Sequence, residues 1–324
     1  MQVNYLFYEI EGELRQVEEY LLEYIQAGHA DLRKSFVHLL KAGGKRIRPA
    51  FALLSAKYGQ YESGKIIPLA AALELIHMAT LVHDDVIDSS IIRRGRQTVK
   101  AQYGNNFSLH SGDFLFAKAL IIIEKYKNNK INQLLAHVSV EMCQGELEQI
   151  ASAFKLEQNI RNYFYRIKRK TSLLISASCQ IGAIAAQADP HIVKTLGRYG
   201  HYLGMAFQIT DDVLDFIADE KTLGKPVGSD LRQGIITLPV IYLLNCGNEA
   251  VKKSLWEKLN SPVSSQDDIH DVVELIKQSE AIPYSLDIAG LYVEKALKEL
   301  EMLPANEITE SLHKLAVFIK RRQF

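Results

Sequence analysis

This sequence of 324 residues has few cysteines and a formal net charge of zero. Its three cysteines, Cys143, Cys179 and Cys246, lie far apart in apolar stretches, which excludes a recognisable disulfide framework or zinc site and predicts three buried thiols. The 38 Lys and Arg residues balance 38 Asp and Glu residues, so the chain lacks the overall positive charge of a general nucleic-acid binder. Recognition of an anionic ligand therefore depends on local clusters.

Signals for export and for membrane spanning are also lacking. The sequence starts MQVNYLFYEIEGELRQ, with acidic residues where a signal peptide has basic ones. The most membrane-like stretch, residues 172–188, contains serine, glutamine and glycine and is interpreted as a buried helix. We therefore expect a cytoplasmic protein that is not an integral membrane protein.

Only 8 prolines are present, and they stand at junctions between long segments with helical periodicity. Residues 69–82 and 203–217 are apolar nearly all round, which is typical of helices in the middle of a bundle. Residues 160–187 are predicted to form a further helix. No linker, internal repeat or strand signal divides the chain. The sequence therefore predicts a single all-α domain over residues 1–324.

Each of the two central segments leads into or contains the pattern D-D-x-x-D. At helical spacing the first and last acids lie one turn apart on one face, and the middle acid is turned by about 100°. No lysine or arginine stands three or four positions away, so burial of these carboxylates calls for a cation. Oxygen-only ligands favour Mg²⁺ over zinc. The predicted metal ligands are Asp84, Asp85 and Asp88 in the first motif and Asp211, Asp212 and Asp215 in the second.

A third copy of the pattern, Asp267, Asp268 and Asp271, has a different setting. It follows the polar stretch SPVSSQ, where acids favour the start of a helix and water solvates them. We predict a solvated helix start at this copy. For either of the first two motifs alone, acids at a solvated helix end remain the alternative.

Basic residues bracket the first two motifs, as expected if a metal-bound diphosphate is the ligand. Taken one at a time, such groups are more often solvated surface charges. His77 lies about two turns before Asp84 on nearly the same face, although a lone histidine on an apolar helix is more often a core residue. The stretches are GGKRIRP with Lys45 and Arg48, RRG with Arg93 and Arg94, KRKT with Lys170 and Thr171, and GKP with Lys225.

Five motifs, in this order, resemble those of the trans-isoprenyl diphosphate synthases over most of the chain from Gly43 onward. They are GGKRIRP, ALELIHMATLVHDDVIDSSIIRRG, KTS, GMAFQITDDVLDF and GKPVGSDL. The resemblance implies an all-α bundle around a central cavity, with the two aspartate motifs facing each other across its mouth. It also implies condensation of an allylic diphosphate, with farnesyl diphosphate as the expected one, with successive isopentenyl diphosphates. The implied cofactor is Mg²⁺.

The resemblance further assigns roles by position. After GSDL, where many relatives have a lysine, this sequence reads RQGIIT, so one diphosphate contact differs. The implied catalytic residues are Asp84, Asp85, Asp88, Lys170, Asp211 and Lys225. Arg93, Lys170, Thr171, Gln208 and Lys225 are expected to contact the allylic diphosphate, and Lys45, Arg48, His77 and Arg94 to hold isopentenyl diphosphate.

Two small residues before the first motif predict a long product. Ala79 and Thr80 lie about one turn from Asp84 along the helix, where an aromatic side chain would block a growing prenyl tail. The expected product is hexaprenyl to octaprenyl diphosphate, with heptaprenyl as the best estimate, for quinone side chains. The alternative is that small residues here only permit close helix packing.

The resemblance extends to the large catalytic subunits of two-component synthases, which implies a dimer or a heteromer with a small regulatory subunit. A shorter-chain synthase or a class I terpene cyclase is the alternative enzyme, but a cyclase needs no second diphosphate site and carries an N-S-E-like second motif that is absent here. A phosphohydrolase using His83 and Asp84 explains neither the second motif nor the arginines. A binding subunit that is inactive alone also remains open.

Overall fold

The structure is a computed structural model that describes residues 8–25, 30–218, 226–259 and 266–321. Most of these residues are helical, which confirms the all-α prediction. The helices are α1 (Glu11–Tyr24), α2 (Ala30–Lys41), α3 (Ile47–Ala56), α4 (Ser63–Ile87), α5 (Val99–Tyr103), α6 (Asn105–Glu124), α7 (Asn129–Ser152), α8 (Ile160–Ile167), α9 (Leu173–Ala185), α10 (Pro190–Ile217), α11 (Ser229–Arg232), α12 (Leu238–Cys246), α13 (Glu249–Leu259), α14 (Gln266–Lys277), α15 (Ala281–Leu300) and α16 (Glu307–Arg321).

Two compact units make up the chain. The first acidic motif belongs to one unit and the second motif belongs to the other. The expectation that residues 1–324 form one domain stays a prediction. The first unit comprises Met1–Ala136, Leu174–Gly200 and Glu299–Leu315, and the second comprises His137–Leu173, His201–Lys298 and Ala316–Phe324.

Helix α4 is the core element of the first unit. It packs mainly against α6, α3 and α1. Its residues from Leu69 to Ile76 are all buried, as the apolar sequence predicts. Behind it, Phe51 of α3 packs edge-to-face on Tyr199, with ring centroids 6.1 Å apart. This packing fixes the helix whose C-terminal end bears the first acidic motif.

The second unit buries one face of α10. Met205, Ile209, Val213 and Phe216 recur at helical spacing and are all buried, together with Tyr163 of α8 and apolar side chains of α12 and α14. The prediction of a buried helix over residues 203–217 is confirmed. The second acidic motif therefore lies on a helix that is held by its own apolar face.

A short hairpin follows α4 and was not predicted. Strand β1 (Ile92–Arg93) pairs antiparallel with β2 (Arg96–Gln97). Arg94 and Gly95 between them have φ angles of 53° and 71°, as in the two-residue turns that close hairpins. Strands of two residues are too short to show an alternating pattern, so sequence periodicity misses them.

The continuous helix predicted over residues 160–187 is interrupted by a π-helical turn, Lys168–Ser172. A π-turn has more residues per turn than an α-helix, so Lys170 and Thr171 take different angular positions from those that a continuous α-helix would give them. Gly145 of α7 makes room for the turn, because a Cβ at Gly145 would lie 2.8 Å from the Cβ of Arg169.

The prediction of three buried thiols is wrong for two of the cysteines. Cys179 is buried, whereas Cys143 and Cys246 are exposed. Cys246 is the last residue of α12. Cys143 lies on α7 between Val140 and Leu147, which are themselves 55% and 66% exposed. Apolar neighbours in the sequence therefore did not indicate burial at this position.

Within the described ranges, one helix, α4, is long and apolar enough to cross a membrane. Most of its apolar stretch is buried in the first unit, which is the environment of a core helix. The stretch 172–188, predicted as the most membrane-like, forms the end of the π-turn and then α9, whose residues are largely buried as predicted.

Candidate active site

The first acidic motif lies at the C-terminal end of α4. Asp84 and Asp85 are in its last turn, and Asp88 is its C-cap residue. Asp84 and Asp88 are partly exposed and one turn apart, as their spacing predicts. Asp85 is only 1% exposed and points to a different side of the helix. The three acids of this motif thus have two different environments.

Asp85 is held by Arg93 of the hairpin. Its Oδ1 atom accepts a hydrogen bond from Arg93 Nε at 2.8 Å, so this acid has a basic partner eight residues farther along the chain. Its Oδ2 atom is buried and has no hydrogen-bond partner in the part of the chain that the structure describes. Burial raises the pKa of Asp85, and the Arg93 charge opposes the rise. A nearby cation would stabilise this unsatisfied oxygen.

Gly43 and Gly44 of the GGKRIRP loop contact the side chain of Arg94. The carbonyl oxygen of Gly43 accepts a hydrogen bond from Arg94 Nη1. A Cβ at Gly44 would lie 2.6 Å from the same nitrogen, so a larger residue at Gly44 would displace Arg94. The loop that carries Lys45 is therefore in direct contact with the hairpin that carries Arg94, as expected if both bind one ligand.

Four arginine side chains lie close to His77 in α4. Burial lowers the pKa of His77 well below its usual value, and the charges of Arg48, Arg94, Arg93 and Arg46 lower it further. The imidazole is therefore neutral at neutral pH and meets a ligand as an uncharged hydrogen-bonding group. The structure brings together three residues predicted to hold isopentenyl diphosphate: His77, Arg48 and Arg94.

A cleft in the first unit is bordered by α2, α4 and the hairpin. It has a volume of about 460 Å³, counting its open mouth. Among the described residues, its lining includes Arg46, Arg93 and Arg94 and two acids, Glu74 and Asp85. The three guanidinium groups outnumber these two carboxylates, and Arg46 and Arg93 are each paired with one of them.

In the second motif, Asp212 is bound on both oxygens by protein donors. Its Oδ2 atom accepts a hydrogen bond from the Tyr163 hydroxyl at 2.7 Å, and its Oδ1 atom accepts one from Gln208 Nε2 at 2.8 Å. Burial, with the nearby Asp230 carboxylate, raises the pKa of Asp212 to about 7, against the opposing effect of the two donors. Asp212 thus joins α10 to α8.

Asp215 is fully buried and is bound by the segment that follows α10. Its Oδ1 atom accepts a hydrogen bond from Ser229 Oγ at 2.8 Å, and its Oδ2 atom accepts one from the backbone N–H of Asp230 at 3.1 Å. Both donors belong to the GSDL stretch at the start of α11. Asp211, by contrast, is partly exposed. The second motif therefore has one partly exposed acid and two buried acids, whereas the first motif has two partly exposed acids and one buried acid.

The π-turn contains the KTS stretch, and two of its residues, Lys170 and Thr171, contact α7 and α10. Thr171 Oγ1 donates a hydrogen bond to Gln208 Oε1 at 2.5 Å. Gln208 in turn donates a hydrogen bond to Asp212. Lys170 Nζ lies 3.1 Å from Glu146 Oε1 on α7. Lys225, the remaining residue predicted to contact the allylic diphosphate, lies outside the described residues.

Among the described residues, no cluster of three or more histidine, cysteine, aspartate or glutamate side chains is arranged to hold a metal ion. The chemistry of the two motifs nevertheless fits Mg²⁺. The metal-binding atoms are oxygens only, and no group among the described residues donates a hydrogen bond to the buried Oδ2 atom of Asp85. The metal-ligand assignment of the six aspartates stays a prediction.

The residues predicted to control product length lie inside α4. Ala79 is 1% exposed. Thr80 is partly exposed, and its hydroxyl donates to the carbonyl oxygen of His77 at 2.8 Å, which keeps it along its own helix. No bulky side chain therefore projects from either position, and their role in product length stays a prediction.

The third acidic copy lies at the start of α14, as predicted. Asp267 and Asp268 are in the first turn of this helix, where negative charge is favoured. Lys258 Nζ lies 2.6 Å from Asp271 and 3.6 Å from Asp268. The third copy therefore forms the start of a helix, and two of its carboxylates pair with Lys258.

Comparison with known proteins identifies the fold and the family. The model of the family described as Polyprenyl synthetase matches residues 29–276. The chain belongs to the polyprenyl synthetase family. The expected prenyltransferase class and the resemblance of the five motifs are thereby confirmed.

Relatives within the polyprenyl synthetases match all or nearly all of the chain. It is 46% identical to heptaprenyl diphosphate synthase component 2 of Geobacillus stearothermophilus, with all of both chains covered. It is 44% identical to heptaprenyl diphosphate synthase component 2 of Bacillus subtilis, with 95% of this chain and 87% of the relative covered.

Solved polyprenyl synthetase structures share the fold. The heptaprenyl diphosphate synthase of Staphylococcus aureus aligns with a TM-score of 0.93 at 39% identity, covering 100% of this chain and 99% of the other. A polyprenyl synthase from Caulobacter crescentus, crystallised with calcium and isoprenyl diphosphate, aligns with a TM-score of 0.95 at 33% identity, covering 100% and 98%.

Several residues of this polyprenyl synthetase site were missed in the sequence. Tyr163, Ser229 and the backbone of Asp230 bind the buried acids, and Glu74 and Arg46 form part of the cleft. Glu74 was detectable as the one acid in the apolar stretch of residues 69–82. Tyr163 lies 49 residues before its partner, and no local pattern indicates such a contact.

Proposed function

We propose that this polyprenyl synthetase extends farnesyl diphosphate with successive isopentenyl diphosphates to heptaprenyl diphosphate, a precursor of quinone side chains, in a Mg²⁺-dependent reaction in the cytoplasm. The observation that carries the proposal is the 46% identity to heptaprenyl diphosphate synthase component 2 of Geobacillus stearothermophilus over the full length of both chains. The carboxylates of the two aspartate motifs and the arginines close to Asp85 and His77 support it.

The aspartates of the two motifs hold Mg²⁺ for the allylic diphosphate. The partly exposed acids, Asp84, Asp88 and Asp211, are the direct ligands. Asp85 adds its unsatisfied Oδ2 atom, while Asp212 and Asp215 fix the motif through their protein donors. Bound Mg²⁺ neutralises the charge that develops on the departing diphosphate. The side chains that contact this diphosphate are those of Arg93, Lys170, Thr171, Gln208 and Lys225.

Isopentenyl diphosphate binds through Lys45, Arg48, His77 and Arg94. Its diphosphate is recognised by charge-assisted hydrogen bonds from the arginines. His77 adds a neutral hydrogen bond, because its lowered pKa keeps the ring uncharged. A second diphosphate site of this kind is what a chain-elongating enzyme needs and a cyclase does not.

The reaction is an ionisation followed by attack of an alkene. The allylic C–O bond breaks, the double bond of isopentenyl diphosphate attacks the allylic carbocation, and the proton that is lost passes to the released diphosphate. No protein nucleophile is required. Arg93, Lys170 and Lys225 act by stabilising the negative charge of the leaving group, which is greatest in the transition state. Exclusion of water protects the carbocation.

The α7 helix supports assembly with a second polypeptide. Val140, Cys143, Leu147 and Ile150 recur at spacings of three and four residues, so they share one face, and all four are exposed. We call these four residues the α7 seam. An apolar seam of this kind suits a partner chain, and the relatives' designation as component 2 of a synthase favours a small regulatory subunit.

A product assay tests the proposed function. The purified chain is incubated with farnesyl diphosphate, radiolabelled isopentenyl diphosphate and Mg²⁺, alone and with a candidate small subunit, and the lipid products are separated by chain length. We expect label in heptaprenyl diphosphate, and none when EDTA removes the metal. The subunit requirement is read from the comparison of the two incubations.

Other products would contradict the proposal in distinct ways. A cyclic hydrocarbon formed without incorporation of labelled isopentenyl diphosphate would indicate a terpene cyclase. Release of phosphate without chain extension would indicate a phosphohydrolase. A labelled product that stops at geranylgeranyl diphosphate would indicate a shorter-chain synthase.

A further inference from the structure

Arg46 stands between the two predicted isopentenyl diphosphate ligands of the GGKRIRP loop, but its own side chain points inward. It is 9% exposed. Its guanidinium has three partners from three helices. Nε donates to Glu18 of α1 at 2.9 Å, Nη1 donates to Glu74 of α4 at 3.0 Å, and Nη2 donates to the carbonyl oxygen of Leu40 in α2 at 3.0 Å.

The backbone of Arg46 also has an unusual conformation. Its φ angle is 47°, in the left-handed region that residues with a Cβ rarely adopt. The carbonyl oxygen of Arg46 accepts a hydrogen bond from the backbone N–H of Ala50 at 3.0 Å, so this residue is where α3 begins. The inward guanidinium therefore fixes the point at which the loop turns into the helix, and Lys45 and Arg48 lie on either side of that point.

Glu74 connects this anchor with His77. Glu74 is 3% exposed, so its carboxylate depends on the Arg46 cation. Glu74 and His77 are three residues apart on α4 and hence neighbours on the helix surface. The charge of Arg46 also reaches His77 and helps to lower its pKa. One buried ion pair thus connects the loop with the turn of α4 that carries His77.

We infer that Arg46 is a positioning residue for isopentenyl diphosphate, because its bridge to Glu18, Glu74 and Leu40 holds Lys45 and Arg48 in register with His77. The inference rests on the proposed function. Lysine cannot replace Arg46 in this role, since a single ammonium group lacks the planar fork that reaches three acceptors in different directions.

The test compares the Michaelis constants of the two substrates. We expect Arg46→Lys to raise KM for isopentenyl diphosphate by about tenfold or more, while KM for farnesyl diphosphate changes by less than about twofold. Isothermal titration of isopentenyl diphosphate alone into the protein should show the same loss of affinity. The matched control is Arg33→Lys on α2, an exposed arginine outside the cleft, which should leave both constants unchanged.

A milder variant covers the case in which Arg46→Lys does not fold. Glu18 is 46% exposed at its side chain, so Glu18→Gln weakens one contact of Arg46 by removing the carboxylate charge, without leaving a buried charge. It should raise only the KM for isopentenyl diphosphate, by a smaller factor. Thermal unfolding of each variant shows whether the fold is intact.

Equal rises in both Michaelis constants, or unchanged affinity for isopentenyl diphosphate in a folded Arg46→Lys or Glu18→Gln variant, would overturn the inference. Failure of the proposed function gives a different result. In that case the unaltered protein, assayed with its small subunit, would not incorporate isopentenyl diphosphate at all.

Discussion

At the scale of single residues, the environment of a side chain decides what it can do. His77 is the clearest case. It lies in the core helix α4 beside Arg48, Arg94, Arg93 and Arg46, so burial and positive charge both oppose its protonation. The folded protein therefore keeps His77 neutral at a pH where the unfolded chain protonates it.

This difference predicts a pH-dependent stability. Below about pH 6.5 the unfolded chain binds a proton at His77 that the folded protein does not bind, so the free energy of unfolding falls as the pH falls. His77→Gln removes this contribution. Between about pH 7.5 and pH 5.5, the free energy of unfolding of the variant should fall by about 1 kcal/mol less than that of the unaltered protein. Urea unfolding between about pH 7.5 and pH 5.5 measures it, and parallel stability curves would contradict the account.

Ala79 and Thr80 make a second prediction at this scale. A phenylalanine at either position introduces a ring into the region of α4 just before Asp84, where the proposed prenyl tail must grow. Ala79→Phe or Thr80→Phe should therefore shift the product to a shorter chain. Chromatography of the labelled prenyl products measures the length, with Leu291→Phe, an exposed site on α15, as the control. An active variant with unchanged product length would refute the placement.

The six aspartates show how far the sequence leads at the residue scale. Their positions and their one-turn spacing were predictable from D-D-x-x-D. The difference between the partly exposed Asp84 and the buried Asp85 was not, because the partner of Asp85 comes from a hairpin that leaves no periodic signal. Likewise Asp212 depends on Tyr163, a contact that only the packing of α8 against α10 creates.

At the scale of elements, close helix packing depends on particular glycines. A Cβ at Gly182 of α9 would lie 2.1 Å from the carbonyl oxygen of Ala52 in α3. The carbonyl oxygen belongs to the helix backbone and the position of a Cβ is fixed by its own backbone, so the helices would have to separate. This contact lies in the unit that also holds α4 and the first acidic motif.

Gly182→Ala should therefore lower the free energy of unfolding by about 1–3 kcal/mol. The matched control is Gly64→Ala in the first turn of α4, where a Cβ would meet nothing within 4 Å. That variant should be neutral or more stable by up to about 1 kcal/mol, because alanine favours the helix. Urea unfolding of both variants decides the matter, and equal stability of the Gly182 variant and the unaltered protein would contradict the packing argument.

The elements themselves were largely predictable. Long helices, few prolines and two all-round apolar segments predicted the all-α core, and α4 and α10 confirm it. The π-turn at Lys168–Ser172 was not predictable, because its sequence is compatible with an ordinary helix and the extra residue is accommodated by Gly145 on a neighbouring helix. Positions within an element thus follow from sequence pattern, whereas local departures follow from tertiary contacts.

At the scale of the whole molecule, the α7 seam predicts association. Leu147 is 66% exposed in the middle of the seam. Leu147→Lys places a charge there and should weaken assembly with a partner chain, since an apolar interface does not tolerate an unpaired charge. Leu291→Lys on α15, where the leucine is 53% exposed, is the matched control.

Analytical ultracentrifugation measures this assembly, first for the chain alone and then with the candidate small subunit. Loss of a homodimer in the Leu147 variant would identify a second copy as the occupant of the seam, and loss of the mixed complex would identify the small subunit. If both complexes survive at unchanged affinity, the seam is not the interface.

The central claim is that the first two acidic motifs hold Mg²⁺ for prenyl transfer and that the third copy does not. The most direct test is the Mg²⁺-dependent incorporation of labelled isopentenyl diphosphate by Asp84→Ala, Asp211→Ala and Asp268→Ala. The account predicts a loss of about 100-fold or more in each of the first two variants and near-normal activity in the third. Full activity of Asp84→Ala and Asp211→Ala would contradict it.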